Sequence, residues 1–154
     1  MITLVGLAVH PVKSTAVRHV DQAHVEPWGL HDDRRWMVVD PTGECVTARE
    51  HASLLGIQAM TPMTDPGLPV PLRLSAPGAA PLDVEQPHGD PVTVTVHGRS
   101  LDAVCAPFVA TTWLAATLGI EGLRLVLVHR PRPLNPEYGL PGEATAFADG
   151  YPVT

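Results

Sequence analysis

Lysine is nearly missing from this chain: Lys13 is the single one among 154 residues, and every other basic side chain is arginine. Aromatic residues supply only 5% of the sequence, so the core must be mostly aliphatic. Cysteine is confined to Cys45 and Cys105, too few and too far apart for a disulfide framework or a zinc site, and both are expected as reduced thiols in strands or core. Positive charge is in deficit as well. Ten Lys and Arg against sixteen Asp and Glu leave a formal charge of −6, which removes the electrostatic drive to bind nucleic acid or an acidic membrane over a broad area. Any anion site must therefore be local. No apolar run is long enough to span a bilayer: 1-MITLVGLAV-9 is too short, has no positive region before it and stops at His10-Pro11. It predicts a strand rather than a signal peptide, and with it a cytoplasmic protein that has no membrane partner. Several motifs are missing too. The absence of G-x-G-x-x-G and Walker loops removes support for a nucleotide site, and the absence of a G-x-S-x-G elbow leaves Ser14, Ser53, Ser75 and Ser100 without a hydrolase setting. Eight histidines are present (His10, His19, His24, His31, His51, His88, His97 and His129), but without H-E-x-x-H or another tight ligand pair they read as scattered surface residues.

What is present describes a compact domain. Hydrophobic residues make up 45% of the chain and charged residues 17%, and at this length folding should bury roughly 70% of the surface of the unfolded chain. Residues 2–9 and 16–26 read as strands, with Gly29 in the connection beyond Pro27. The stretch 35-RWMVVDPTGECVTA-48 reads as a hairpin, because Pro41 pre-sets a turn angle and Gly43 can take positive φ. Short runs at 54–61, 70–75, 81–85, 91–97 and 100–104, each bounded by Pro or Gly, predict further strands. One helix is predicted over 107–118, with Phe108, Thr111, Ala115 and Leu118 on one face and Gly119 as its cap, followed by a strand over 123–129. The proline-rich segment 130–154 reads as an extended linker. The predicted fold is mainly β (α+β): a barrel-like mixed sheet of short strands with one helix near 107–118.

Three places could carry chemistry. In Pro11-Val12-Lys13-Ser14 an ammonium and a hydroxyl sit where a strand ends and backbone amides are free to point outward, the outline of a compact anion site; the alternative is a lysine on a solvated turn. In 29-GLHDDRRW-36, strand alternation would put Arg34 with Trp36 and Val38 on one face and Arg35 with Met37 and Val39 on the other. At least one of these arginines would then start beside the core at a barrel rim, where its fork suits phosphate. Alternatively, Asp32 and Asp33 simply pair with Arg34 and Arg35 at the surface. In Thr47-Ala48-Arg49, Thr47 and Arg49 share a face at the hairpin exit. Lys13, Arg18, Arg34, Arg35 and Arg49 are half of the ten basic residues and all lie in the first third of an acidic chain, an asymmetry that favours a local anion site.

Taken in order, His10-Pro11-Val12-Lys13-Ser14, Gly29-Leu30, Asp33-Arg34-Arg35-Trp36-Met37-Val38-Val39-Asp40 and Val46-Thr47-Ala48-Arg49 resemble the N-terminal β-barrel domain of MOSC proteins, the molybdenum cofactor sulfurase C-terminal family. The resemblance continues through Trp113-Leu114, Leu118-Gly119, Arg124-Leu125-Val126 and 147-FADGYPVT-154, and departs where His10 replaces the usual tyrosine and Ala106 a common glycine. The group includes the mitochondrial amidoxime-reducing component and bacterial reductases of N-hydroxylated compounds. The resemblance implies that Lys13, Ser14 and Arg34 contact the phosphate and pterin of the molybdenum cofactor (molybdopterin). It further implies a domain over 1–129, with 130–154 as a linker and the opening of a truncated MOSC domain. The molybdenum-ligating cysteine would lie in that missing domain, because Cys105 comes too early to serve. The expected function is therefore the cofactor-binding part of a molybdenum-dependent oxidoreductase, possessing an electron-transfer partner, with this chain alone inactive and binding little or no cofactor. The alternatives are sulfur transfer to the cofactor, or a non-catalytic β-barrel module for a small anion or a protein partner.

Overall fold

The computed structural model describes residues 1, 3–137 and 139–148. In chain order it contains β1 (Leu7–Val9), β2 (Arg18–Val20), β3 (Val25–Glu26), β4 (Gly29–Leu30), β5 (Trp36–Val39), a short 3-10 helix (Ala52–Gly56), β6 (Gln58–Met60), β7 (Leu72–Ser75) and β8 (Leu82–Val84). There follow β9 (Val92–Val96), β10 (Arg99–Cys105), α1 (Phe108–Leu118), β11 (Arg124–Val128), β12 (Arg132–Pro133) and β13 (Ala144–Thr145). The protein is thus mainly β with one helix, as its composition and turn signals predict.

A four-stranded sheet in the order β5-β11-β10-β9 organises the molecule, beside a three-stranded sheet β6-β7-β8 and three two-stranded ribbons. Every ladder is antiparallel, so the parallel part of the expected mixed sheet is confined to isolated bridges at Val12↔Trp36 and Glu44↔Thr95. All four residues of β5 are buried, which is why WMVV reads as a continuous apolar run rather than an alternating one. Alternation nevertheless sorts them. Trp36 and Val38 enter a core shared with Leu125, the β6–β8 side chains Ala59, Leu72, Leu74 and Val84, and Ala110 and Leu114 of α1. Met37 and Val39 enter a second core on the opposite face with Val94, Val96, Leu101, Val126, Val128 and Phe147. Burying both faces of one short strand removes it from water more completely than a surface hairpin would.

Several local expectations differ from the structure. The run 2–9 is a strand only from Leu7, and Leu4 and Val5 are exposed. The run 16–26 splits into β2 and β3, which belong to different ribbons, and Gly29 lies inside β4 rather than in a connection. The hairpin after β5 closes through the Asp40–Gly43 turn but returns through bridges rather than a full strand: Cys45 pairs with Val39, and the Val46 N–H donates to the Val38 carbonyl at 2.9 Å. Asp40 fixes this turn by accepting from the Thr42 N–H and hydroxyl and from the Glu44 N–H. Gly43 takes φ +93, and a Cβ there would stand 3.1 Å from the Thr93 carbonyl oxygen. The first half of the run 54–61 is the 3-10 helix, whose Leu54 fills the first core.

On α1 the buried residues are Ala110 and Leu114, with Trp113 and Leu118 packed beside them, whereas Phe108 is 79% exposed. The predicted face of Phe108, Thr111 and Ala115 therefore points outward, and of that set only Leu118 reaches the core. The segment after Arg130 is not an extended linker over its described part. It forms the β12–β13 ribbon, and Arg132, Leu134, Thr145, Ala146 and Phe147 are buried. Residues 149–154, which hold most of the FADGYPVT motif, lie outside the described residues.

Candidate functional site

The Lys13 segment is positioned by β5. Residues 10–13 run parallel to residues 34–36: the Arg34 N–H donates to the His10 carbonyl at 2.7 Å, the Trp36 N–H to Pro11 at 3.0 Å and the Lys13 N–H to Trp36 at 2.8 Å. The chain then turns sharply. The Thr15 hydroxyl and N–H both donate to the Val12 carbonyl, at 2.8 and 3.3 Å, and Ser14 between them takes a left-handed φ of +65. A non-glycine residue at positive φ is uncommon and tends to mark a turn or a functional position. Lys13 itself is only 5% exposed. Burial of a cation to that degree requires compensation by neighbouring polar groups or a counter-ion.

A second turn faces it. After the bridge residues Glu44 and Cys45, the Glu50 and His51 N–H groups both donate to the Thr47 carbonyl, and the Glu50 carboxylate accepts from the Thr47 N–H at 3.0 Å and its hydroxyl at 3.3 Å. This is the glutamate half of a capping box, and it explains why Thr-x-x-Glu ends the hairpin in a helical turn that displays Arg49. The third wall is His97. His97 and Gly98 form the two-residue loop between β9 and β10, where Val96 pairs with Arg99, and their φ values of +50 and +72 give a type I′ turn.

Lys13, Ser14, Thr47, Ala48, Arg49 and His97 together line an open cavity of about 220 Å³. Its lining holds a lysine and an arginine and no acidic residue. The separate sequence candidates at Lys13-Ser14 and at Thr47-Arg49 are thus one place in the fold. A neighbouring cavity of about 270 Å³ shares Thr47, Arg49 and His97 and is completed by Glu44, Cys45 and Glu50. His97 is the lining residue that the scattered-histidine reading missed. Its signal was available: X-Gly between two β-rich runs marks a two-residue hairpin loop.

Arg34 is placed differently from the strand alternation expected of it. Its φ of +49 takes it out of the strand, which begins at Trp36. Its guanidinium donates to the Asp33 carboxylate at 2.6 Å, and the other oxygen of that carboxylate accepts from the His10 N–H at 2.8 Å. Arg34 is therefore tied through Asp33 to the start of the Lys13 segment, but it does not line the cavity. Arg35 takes up the core-side position. It is 7% exposed, its Cζ lies 3.6 Å from the centre of the Trp28 ring, and it pairs with Glu26 rather than with either aspartate. Asp32 pairs instead with His31.

Among the described residues no group of three His, Cys, Asp or Glu side chains could hold a metal ion, and no helix is long and apolar enough to cross a membrane. Cys105 is half-buried, with its sulfur 4.0 Å from an Arg124 nitrogen, and Cys45 is buried.

The chain is thus a mainly β, barrel-like domain whose strand ends and hairpin turns meet at a cavity lined by Lys13 and Arg49. The chain belongs to the family described as the MOSC N-terminal beta barrel domain, whose family model matches residues 1–121. Its curated relatives include the molybdenum cofactor sulfurases of Drosophila mojavensis, 31% identical over 135 residues, and of Danio rerio, 32% identical over 133 residues. These matches cover 80% and 85% of this chain, which spans only 16% of the length of either relative. A solution structure of a Bordetella bronchiseptica protein is similar at a TM-score of 0.49 and 20% identity, covering 71% of this chain and 90% of that one.

Proposed function

We propose that this domain forms one wall of a site for the molybdenum cofactor, with Lys13, Ser14 and Arg49 gripping its phosphate. The observation that carries the reading is the cavity itself: in a protein of net charge −6, two separate turns bring Lys13 and Arg49 to one opening without a carboxylate in its lining. The residues fit the anionic part of the cofactor, since an ammonium, a guanidinium and a hydroxyl are all donors to phosphate oxygens. Among the described residues no group of three His, Cys, Asp or Glu side chains could hold a metal ion, so this reading gives these residues the anionic part of the cofactor alone. Arg34 is held by Asp33 with 31% of its side chain exposed, and in this reading it serves the same ligand from outside the cavity lining.

When bound, the cofactor supplies the redox or sulfur chemistry of its metal, and the residues of this domain bind and orient it. Reduction of N-hydroxylated compounds, with an electron-transfer partner, and transfer of sulfur to the cofactor both need a cofactor held in this way. Of the two, the name borne by the curated relatives favours sulfur transfer.

Titration calorimetry with inorganic phosphate tests the cradle. The double variant Lys13→Ala, Arg49→Ala should weaken binding by at least about tenfold, the loss of charge-assisted hydrogen bonds. Equal affinity in the wild type and the double variant would remove the anion site, and a non-catalytic module for a protein partner would then take its place.

A further inference from the structure

The composition of α1 is not that of a surface helix. FVATTWLAATL carries no charged residue, and a helix that is apolar or small all round is ordinarily covered on every side. Within one chain only Ala110 and Leu114 are fully covered. Phe108, Val109, Thr112 and Ala116 form an exposed stripe, in which Phe108 is 79% and Val109 52% exposed. Along that stripe Phe108, Thr111, Thr112, Ala115, Ala116 and Glu121 line an open hollow of about 280 Å³. A projecting aromatic ring and a hollow floored by alanines thus share one face, the arrangement that a two-fold, self-complementary contact needs.

The two ends of the helix carry charges of opposite sign. Pro107 precedes the first turn without a side-chain acceptor and no acidic residue stands in that turn, so the positive end of the helix dipole is uncompensated. Glu121 lies just past Gly119, at the negative end of the same helix, where a carboxylate is disfavoured. Within one chain the two cannot meet, because the 11 residues of α1 hold them about 16 Å apart. A second copy turned end to end brings each carboxylate to a positive helix end.

We propose that the outer face of α1 binds a second copy of this chain, with the two helices antiparallel about a two-fold axis near Ala115. Phe108 of each copy enters the hollow of the other beside Ala115 and Ala116, and Glu121 of each meets the first-turn amides of the other helix. The stripe between the ends offers no charge to select an unlike partner, whereas its ends complement those of its own copy. The contact is small. One pair of helices about 16 Å long lies at the low end of the range for specific interfaces, and each copy carries a net charge of −6, so the expected Kd is on the order of 10 to 100 µM. The face shares no residue with the Lys13 cavity, so this inference stands or falls apart from the cofactor-site reading.

Sedimentation equilibrium of the full chain, from about 1 to about 500 µM, tests it. The wild-type mass should rise with concentration from 16.4 kDa towards twice that value. Phe108→Asp puts a charge into the apolar hollow and should weaken association at least about tenfold. Glu121→Lys sets a positive charge against a positive helix end at two places by symmetry and should weaken it about fivefold. Both positions are exposed, and the far-UV circular dichroism of each variant should superimpose on that of the wild type. A mass of 16.4 kDa at every concentration overturns the proposal and leaves the face to an unlike protein. A dimer that survives Phe108→Asp has its interface on another surface, such as exposed Leu4 and Val5, and overturns it equally. Dissociation by Phe108→Asp with full affinity kept in Glu121→Lys would rule out the antiparallel arrangement.

Discussion

Arg35 is a guanidinium carried into an aliphatic protein, and its surroundings set what its loss of partner would cost. Trp28 covers one face of it, Glu26 accepts from one terminal nitrogen, the Leu30 carbonyl lies 3.3 Å from that same nitrogen, and its other terminal nitrogen is buried without a partner. Burial lowers the pKa of this arginine, opposed by the nearby Glu26, Asp32 and Asp33 carboxylates. For Glu26, burial acts to raise the pKa, but hydrogen bonds from His31 and Trp28 and the positive charge of Arg35 outweigh it, and the carboxyl ends below its ordinary value. A carboxyl whose folded pKa is depressed contributes stability above its unfolded pKa and loses that contribution as pH falls through the folded value. Glu26→Gln should therefore cost about 2 kcal/mol in urea unfolding at neutral pH, the scale of a charge-assisted bond to a buried partner. That difference should shrink towards zero once the wild-type carboxyl is itself protonated, at a pH below the ordinary range of a glutamate carboxyl. A cost that stays constant across this range would assign the effect to packing rather than charge. At this scale the sequence was legible at turns and illegible where a turn interrupts a strand pattern. Lys13-Ser14 stands out as an ammonium and a hydroxyl where a strand ends, and Thr47-Arg49 as two side chains sharing a face at a hairpin exit. The alternation drawn through Arg34 fails because its positive φ resets the register two residues before β5 begins.

At the scale of elements, α1 shows where periodicity stops informing. FVATTWLAATL holds no charged residue and is apolar or small on every side, so several faces look equally fit for the core. Tertiary contacts choose. The Trp113 indole N–H donates to the Ala80 carbonyl at 2.7 Å, which turns Ala110 and Leu114 inward against the first core and leaves Phe108 in solvent. Its boundaries were legible where its orientation was not, because Pro107 precedes the first turn and Gly119, at φ +70, caps the last by donating to the Ala115 carbonyl. Leu114→Ala should cost about 3 kcal/mol, as cavity-forming changes of a buried leucine do, whereas Phe108→Ala should stay within about 0.5 kcal/mol. Chemical denaturation of the two variants decides between the faces: a larger loss for Phe108→Ala would restore the face expected from spacing alone.

Across the whole molecule, one four-stranded sheet carries a core on each face, and the second face is closed partly by the segment after Arg130. That segment reads as a linker because its prolines interrupt every strand-like run, and nothing local announces that Phe147 will be completely buried. Its structure comes from contacts distant in sequence. The Arg132 guanidinium donates to the Ala146 and Ala148 carbonyls at 3.1 and 2.6 Å, and the Phe147 N–H donates to the Arg34 carbonyl at 3.2 Å. The strap thus ends on the backbone of the very residue that Asp33 ties to the Lys13 segment, so the second core and the candidate site share a support. If the strap belongs to the folding unit, Phe147→Ala should cost about 3 to 4 kcal/mol, the usual range for a buried phenylalanine, and unfolding should remain a single cooperative transition. A free linker would lose less than about 0.5 kcal/mol by the same change. Paired denaturation curves followed by Trp fluorescence and far-UV circular dichroism separate these outcomes, since Trp28 and Trp36 report on the two cores that the strap would join.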